Sequence, residues 1–324
     1  TVRKRRCTVV GREKKMQFTP QQLAGGVSYS DSTRIGNWVE DVCLRDYQKA
    51  HFEDKKKSGS LELQRRRAKL QAGNGPVMQQ GCTDSILCFG DVVTLDHITG
   101  ARLACDIWDE ILPGQGVFSA SAVTPGGRST TGPAPTARSA FLIVPVNVME
   151  GMSPEDPTPV TYGTPFRLQS LLVANDESVA AGLLEPRPTC YIASTSKTDR
   201  MASRLTNRQM IFALGGPTPE TLWTFERAVY SQGPEAAEDK FFSKDQPVQS
   251  GEPVVVQHLT TRVPLLADPK QIEYTDFGTE CEVVCQIKSG YNVVSCLARE
   301  AKGSAIVSVP LESEANHWTV NKVN

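Results

Sequence analysis

"FGDVVTLDH" (89–97), "YGTPFRLQS" (162–170) and "SGEPVVVQH" (250–258) open alike: glycine in second place, a short polar or Pro-containing link, then a β-rich run. A second block recurs as "FSASAV" from Phe118 and "YIASTS" from Tyr191, each 28 residues past its own glycine (90 to 118, 163 to 191), with "PLLAD" (264–268) as a shorter third copy. A third block closes each unit: "AFLIVPV" (140–146), "LWTFERAV" (222–229) and "HWTVNKV" (317–323). Three block types in one order imply an internal repeat with units near 89–146, 162–229 and 250–323. No single unit buries its own apolar face, whereas three together close a barrel and remove most exposed sheet edges. The expectation is a mainly β, β-trefoil-like domain over residues 77–324, with an ordinary β-sandwich as the alternative.

Long inserts interrupt that scheme. "TPGGRSTTGPAPTARS" (124–139) has twelve Pro, Gly, Ser or Thr in sixteen residues, and "GMSPEDPTPVTYG" (151–163) is similar, so both are expected to be surface loops. "QGPEAAEDKFFSKDQPVQSG" (232–251) is a third, and its Phe241 and Phe242 are expected to pin it to the barrel, with contact to another chain as the other reading.

The chain has 324 residues, 39% hydrophobic and 22% charged, which suits a soluble protein of one or two domains. No run approaches the ~18 to 20 apolar residues of a membrane span. "TVRKRRCTVVGREKKMQ" lacks the apolar core and small-residue cleavage site of a secretory signal, so the chain is expected to stay inside the cell. Nine scattered cysteines without CxxC spacing fit reduced thiols, and no disulfide framework is expected.

The net charge of −1 conceals an asymmetry: residues 1–70 hold 17 Lys and Arg against 8 Asp and Glu, a balance of +9 that leaves −10 for residues 71–324. The positive charge falls in blocks, Arg3, Lys4, Arg5 and Arg6 near the start, then Lys55, Lys56 and Lys57, then Arg65, Arg66, Arg67 and Lys69. Such blocks form solvated faces and disordered arms, or arms that meet a polyanion. No aromatic stacking platform or recognition motif accompanies them, which favours an acidic protein over nucleic acid. Residues 1–33 lack apolar periodicity and are expected to form an extended arm. Residues 34–76 are expected to form a turn plus basic helices. "RIGNWVED" (34–41) places Trp38 after a Gly-Asn turn, and a helix is expected from Asp41, where Leu44, Tyr47 and His51 share a face. Ser58, Gly59 and Ser60 interrupt it, and "LELQRRRAKLQ" resumes until "GNGP" (73–76).

Chemical motifs are missing. There is no GxxxxGK[ST], no GxGxxG after a strand and no GxSxG. His51, His97, His258 and His317 form no HxxxH or HExxH pair, and Cys281 with Cys285 has the spacing of buried thiols on one strand face, without the second pair a zinc site needs. His317 and Trp318 are expected in a barrel-closing strand. No catalytic residue, cofactor or metal site is expected.

The block "RIGNWVEDVCLRDYQKAHFEDKKKSGSLELQRRRAKLQ" (34–71), followed in order by "FGDVVTL" (89–95), "SASAVTPGGRST" (119–130), "YGTPFRLQS" (162–170), "YTDFGTECEVVCQI" (274–287) and "NHWTV" (316–320), resembles the family of cilia- and flagella-associated protein 161 over roughly residues 34–323. That resemblance implies a non-enzymatic microtubule inner protein of the motile cilium, held on the luminal wall of the doublet A-tubule in the axoneme. Implied partners are α- and β-tubulin and other inner proteins, with no membrane and no nucleic acid. The cations above, with Arg34, would then meet the acidic tubulin surface, and Trp38 would anchor either there or on the barrel. The repeat also resembles MIR-type trefoil domains, so the alternatives are a trefoil ligand- or carbohydrate-binding module and a nucleic-acid binder acting through the basic arm.

Overall fold

The computed structural model describes residues 34–77, 85–124, 135–146, 158–173, 176–180, 182–229, 241–287 and 314–323, giving the backbone course alone for residues 34–39 and 176–177. Two compact units divide the chain, residues 1–57 and residues 58–324.

In the first unit the described element is α1 (Arg34–Lys57). It begins seven residues before the expected start and absorbs the Gly-Asn pair that the sequence suggested as a turn. Ile35, Trp38, Val39 and Val42 fall at i, i+3, i+4 and i+7, and that periodicity outweighs a Gly whose helix penalty is only ~1 kcal/mol. Lys55, Lys56 and Lys57 occupy its last turn, where the helix dipole favours positive charge. The basic arm with Arg3, Lys4, Arg5 and Arg6 lies outside the described residues, as do the side chains of Arg34 and Trp38.

The second unit begins with α2 (Glu62–Gly73), set off by Ser58, Gly59 and Ser60 as expected. Among the described residues twelve antiparallel strands follow: β1 (Val92–His97), β2 (Arg102–Leu112), β3 (Val117–Val123), β4 (Phe141–Pro145), β5 (Phe166–Ser170), β6 (Cys190–Ser194), β7 (Gln209–Gly215), β8 (Trp223–Arg227), β9 (Pro253–His258), β10 (Leu265–Thr275), β11 (Gly278–Cys285) and β12 (His317–Lys322). A short helix, α3 (Asp176–Ala180), lies between β5 and β6. The mainly β expectation holds. Strands β1, β12, β9, β8, β5 and β4 pair in that order and β4 returns to β1, so the sheet closes into a barrel. Hairpins β2–β3, β6–β7 and β10–β11 pair with one another through β3–β7, β7–β11 and β11–β3.

The first and third sequence blocks are equivalent strands: β1, β5 and β9 open the units, and β4, β8 and β12 close them. The second block is not. "FSASAV" lies in β3, the third strand of its unit, whereas "YIASTS" and "PLLAD" lie in β6 and β10, second strands of theirs. The shared spacing of 28 arises because β2 follows β1 after a short turn, while a long insert carrying α3 precedes β6.

One register position repeats around the ring. Trp318 stands opposite His97, Trp223 opposite His258 and Phe141 opposite Ser170. In both Trp pairs the ring centroids lie 5.0 Å apart, and each indole N–H donates to a hairpin carbonyl, Leu265 at 3.1 Å and Ile192 at 2.8 Å. Both imidazole Nε2 atoms donate to carbonyls in the turn before the closing strand, Ala315 at 2.7 Å and Glu220 at 2.9 Å. Buried aromatic surface therefore comes with its polar atoms satisfied. His317 and Trp318 do close the barrel, as expected. Cys281 and Cys285 are buried free thiols pushed up to about 11 and about 12 by desolvation, a state that suppresses thiolate chemistry.

Candidate functional site

The cations singled out in the sequence divide into two groups once placed. On α2, Lys69 is only 9% exposed. Its Nζ lies 2.6 Å from Asp106 Oδ2 on β2 and 2.7 Å from Asp276 Oδ2 in the β10–β11 turn. Burial alone would lower the Lys69 pKa, and the two carboxylates outweigh it and raise it. Asp106 is raised because desolvation exceeds the pull of Lys69, and Asp276 is lowered by its hydrogen bond from the ammonium. Arg66 joins through Nε, 3.3 Å from Asp276 Oδ1.

These ion pairs dock α2 on the long hairpins, and an aromatic seat completes the contact. The Phe277 ring lies against Gly73, where a Cβ would come within 2.4 Å of it. The Arg138 guanidinium covers the ring 4.0 Å from its centroid and pairs with buried Glu280, which also accepts from Ser121 Oγ at 2.6 Å. Register shifts in β2 between Asp106 and Glu110, and in β10 between Asp268 and Ile272, distort the two strands that supply this seat.

The candidate partner-binding set therefore loses Lys69, an internal clasp. Arg66 is half-engaged, and Arg65 and Arg67 are exposed on α2. A cleft of about 310 Å³ beside them is walled by Trp108, Leu183, Leu184, Glu185 and Arg187. Lys55, Lys56 and Lys57 are exposed on α1.

Two features escaped the sequence reading. Asp106, Asp276 and Phe277 hold α2 from positions 37, 207 and 208 residues beyond Lys69, a pairing no local pattern announces. Phe241 and Phe242 do not pin their loop to the barrel: they are 67% and 69% exposed and pack edge to face on each other, and Phe241 lines a groove of about 740 Å³ together with Arg227, Lys244 and Arg262. Among the described residues no cluster of His, Cys, Asp and Glu is placed to hold a metal, and no helix is long and apolar enough to cross a membrane.

No protein-family profile matches the chain. Over 276 residues, 79% of this chain and 81% of the relative, it is 25% identical to a Danio rerio protein. The chain resembles cilia- and flagella-associated protein 161. The Mus musculus cilia- and flagella-associated protein 161 is 26% identical over the same length and shares. Among solved structures, the SDF2-like protein from Arabidopsis thaliana is 16% identical with a TM-score of 0.43, covering 72% of this chain and 94% of that one. The S. cerevisiae protein O-mannosyltransferase Pmt1-Pmt2 complex is 13% identical with a TM-score of 0.45, covering 79% and 28%. Structural likeness at those scores is too loose to bear on function, so the relationship that matters is the one to cilia- and flagella-associated protein 161.

Proposed function

We propose that this chain is a non-enzymatic structural protein of motile cilia and flagella: a microtubule inner protein on the luminal wall of the doublet A-tubule, in contact with α- and β-tubulin and neighbouring inner proteins, that stabilises the axoneme. The observation that carries this reading is the similarity to cilia- and flagella-associated protein 161 across about four-fifths of both chains. The β-trefoil reading of the β unit is part of the same proposal, and the six-strand ring with three mutually paired hairpins supports it.

The mechanism is multivalent clamping. The β unit offers a rigid footprint, and the basic helices add weak contacts whose effective concentration the footprint raises. A single exposed ion pair contributes only ~0 to 1 kcal/mol, so Arg65 and Arg67 act as members of a set with Lys55, Lys56 and Lys57. Lys69 is excluded from that set because it already neutralises two carboxylates.

The test is retention of a tagged chain on isolated axonemes. The unaltered chain is expected to resist detergent and moderate salt. Arg65→Gln with Arg67→Gln is expected to be released at lower salt while its thermal melting stays unchanged. A diffuse cytosolic pool, or full retention of the double variant through the salt series, overturns the reading.

A further inference from the structure

The groove beside Phe241 and Phe242 has its own electrostatics, separate from the basic helices. Its walls come from the approach to β5, from β8, from the β9–β10 turn and from residues 241–245, and its volume of about 740 Å³ is that of a ligand cleft. Arg227, Lys244 and Arg262 are exposed along it, and among the described residues none of the three has a carboxylate partner. Of the two carboxylates in the wall, Glu226 is already engaged and Asp245 is exposed.

Arg262 stands where the first unit has glycine. In the β1–β2 turn, Gly100 N–H donates to the His97 carbonyl and His97 Nδ1 bonds Thr99 Oγ1; in the β9–β10 turn, Arg262 N–H donates to the His258 carbonyl and His258 Nδ1 bonds Thr261 Oγ1. Gly100 has φ 81° and Arg262 has φ 58°, in the left-handed region that an arginine enters only against its preference. Asp245, φ 64°, is also left-handed in the same wall, though aspartate tolerates that region. Strained backbone held by surrounding structure concentrates at binding sites. Here it holds a guanidinium over the groove where glycine would serve the turn better.

We propose that this groove docks an acidic polypeptide segment of another protein. The segment's carboxylates pair with Arg227, Lys244 and Arg262, its apolar side chains meet Phe241, and its backbone N–H groups replace water at Asp245. The last contact favours a peptide over nucleic acid, because a peptide backbone offers an N–H at every residue but proline, whereas a phosphodiester backbone brings only negative charge to that carboxylate. This goes beyond the tubulin reading, uses a different set of cations and stands whether or not that reading holds.

The experiment titrates the full chain into a fluorescein-labelled ten-residue peptide of six Glu, two Phe and two Gly, read by anisotropy. Saturable binding that weakens with salt is expected, and Arg227→Glu with Lys244→Glu and Arg262→Glu is expected to weaken it about tenfold or more. The charge-matched Lys197→Glu, Arg200→Glu and Lys270→Glu variant is expected to bind as the parent does. Arg262→Gly separates function from fold: it is expected to raise the thermal midpoint and still weaken binding. The proposal is overturned by equal losses in both triple variants, or by a decathymidylate that displaces the peptide as well as unlabelled peptide does. It is also overturned by a dimer that the Arg227 triple variant dissolves, or by binding that emerges only after Glu235, Glu238 and Asp239 are changed to amides.

Discussion

Burial disfavours the charged form of His258 in the folded protein. Its ring lies against Trp223, its Nε2–H donates to the Glu220 carbonyl at 2.9 Å and its Nδ1 accepts from Thr261 at 2.8 Å, while burial lowers its pKa below the ordinary 6.5. Above that value folded and unfolded chains are both neutral there, and the group adds no pH dependence. As pH falls below 6.5 the unfolded chain takes up the proton first, so stability drops across the window down to the depressed folded value. The urea midpoint is therefore expected to fall between pH 7.5 and 5.5, with a shallower slope in His258→Gln; equal slopes for the two proteins count against this assignment. Residue types told part of this in advance. Trp318 was legible as a barrel-closing residue because its strand pattern is local, but Lys69 read as one more cation in a basic run. What distinguishes it from Arg65 and Arg67 is a pair of carboxylates on other elements.

At the scale of elements, α2 tests how a basic helix of twelve residues becomes part of a β protein. An isolated helix of that length is marginal in water, so its order comes from the hairpins it lies against. Gly73→Ala isolates the aromatic part of that contact. Alanine favours helix by ~1 kcal/mol, but its Cβ lands 2.4 Å from a Phe277 ring already held by Arg138, and overpacking of that kind costs about 1 to 3 kcal/mol. The variant is expected to unfold at lower urea and to be cleaved by protease between residues 58 and 76 under conditions the parent survives; an unchanged or raised midpoint means the ring gives way. Strand identity was legible where a glycine and a closing aromatic mark each unit, which placed β1, β5, β9 and β4, β8, β12. It failed for the hairpins, since "FSASAV" and "YIASTS" share a spacing without sharing a place. The start of α1 is hidden for a related reason: Gly36 and Asn37 are turn-forming residues set within an apolar helical period.

On the scale of the whole molecule, the division at residue 57 predicts that a chain beginning at Ser58 keeps its fold. Residues 58–324 are expected to melt in one cooperative transition, within ~1 kcal/mol of the full chain by calorimetry and urea titration; loss of that transition sinks the division. The ring has a consequence in time as well as in space. Its first strand pairs with its last, and Asn321 Nδ2 donates to Asp96 Oδ2 at 2.8 Å across 225 residues. At about 5 to 20 residues per second, β1 leaves the ribosome roughly 10 to 45 seconds before β12 exists to cover its edge. Closure therefore waits for β12 to emerge, and until then the nascent chain carries an open strand edge of the kind that invites aggregation.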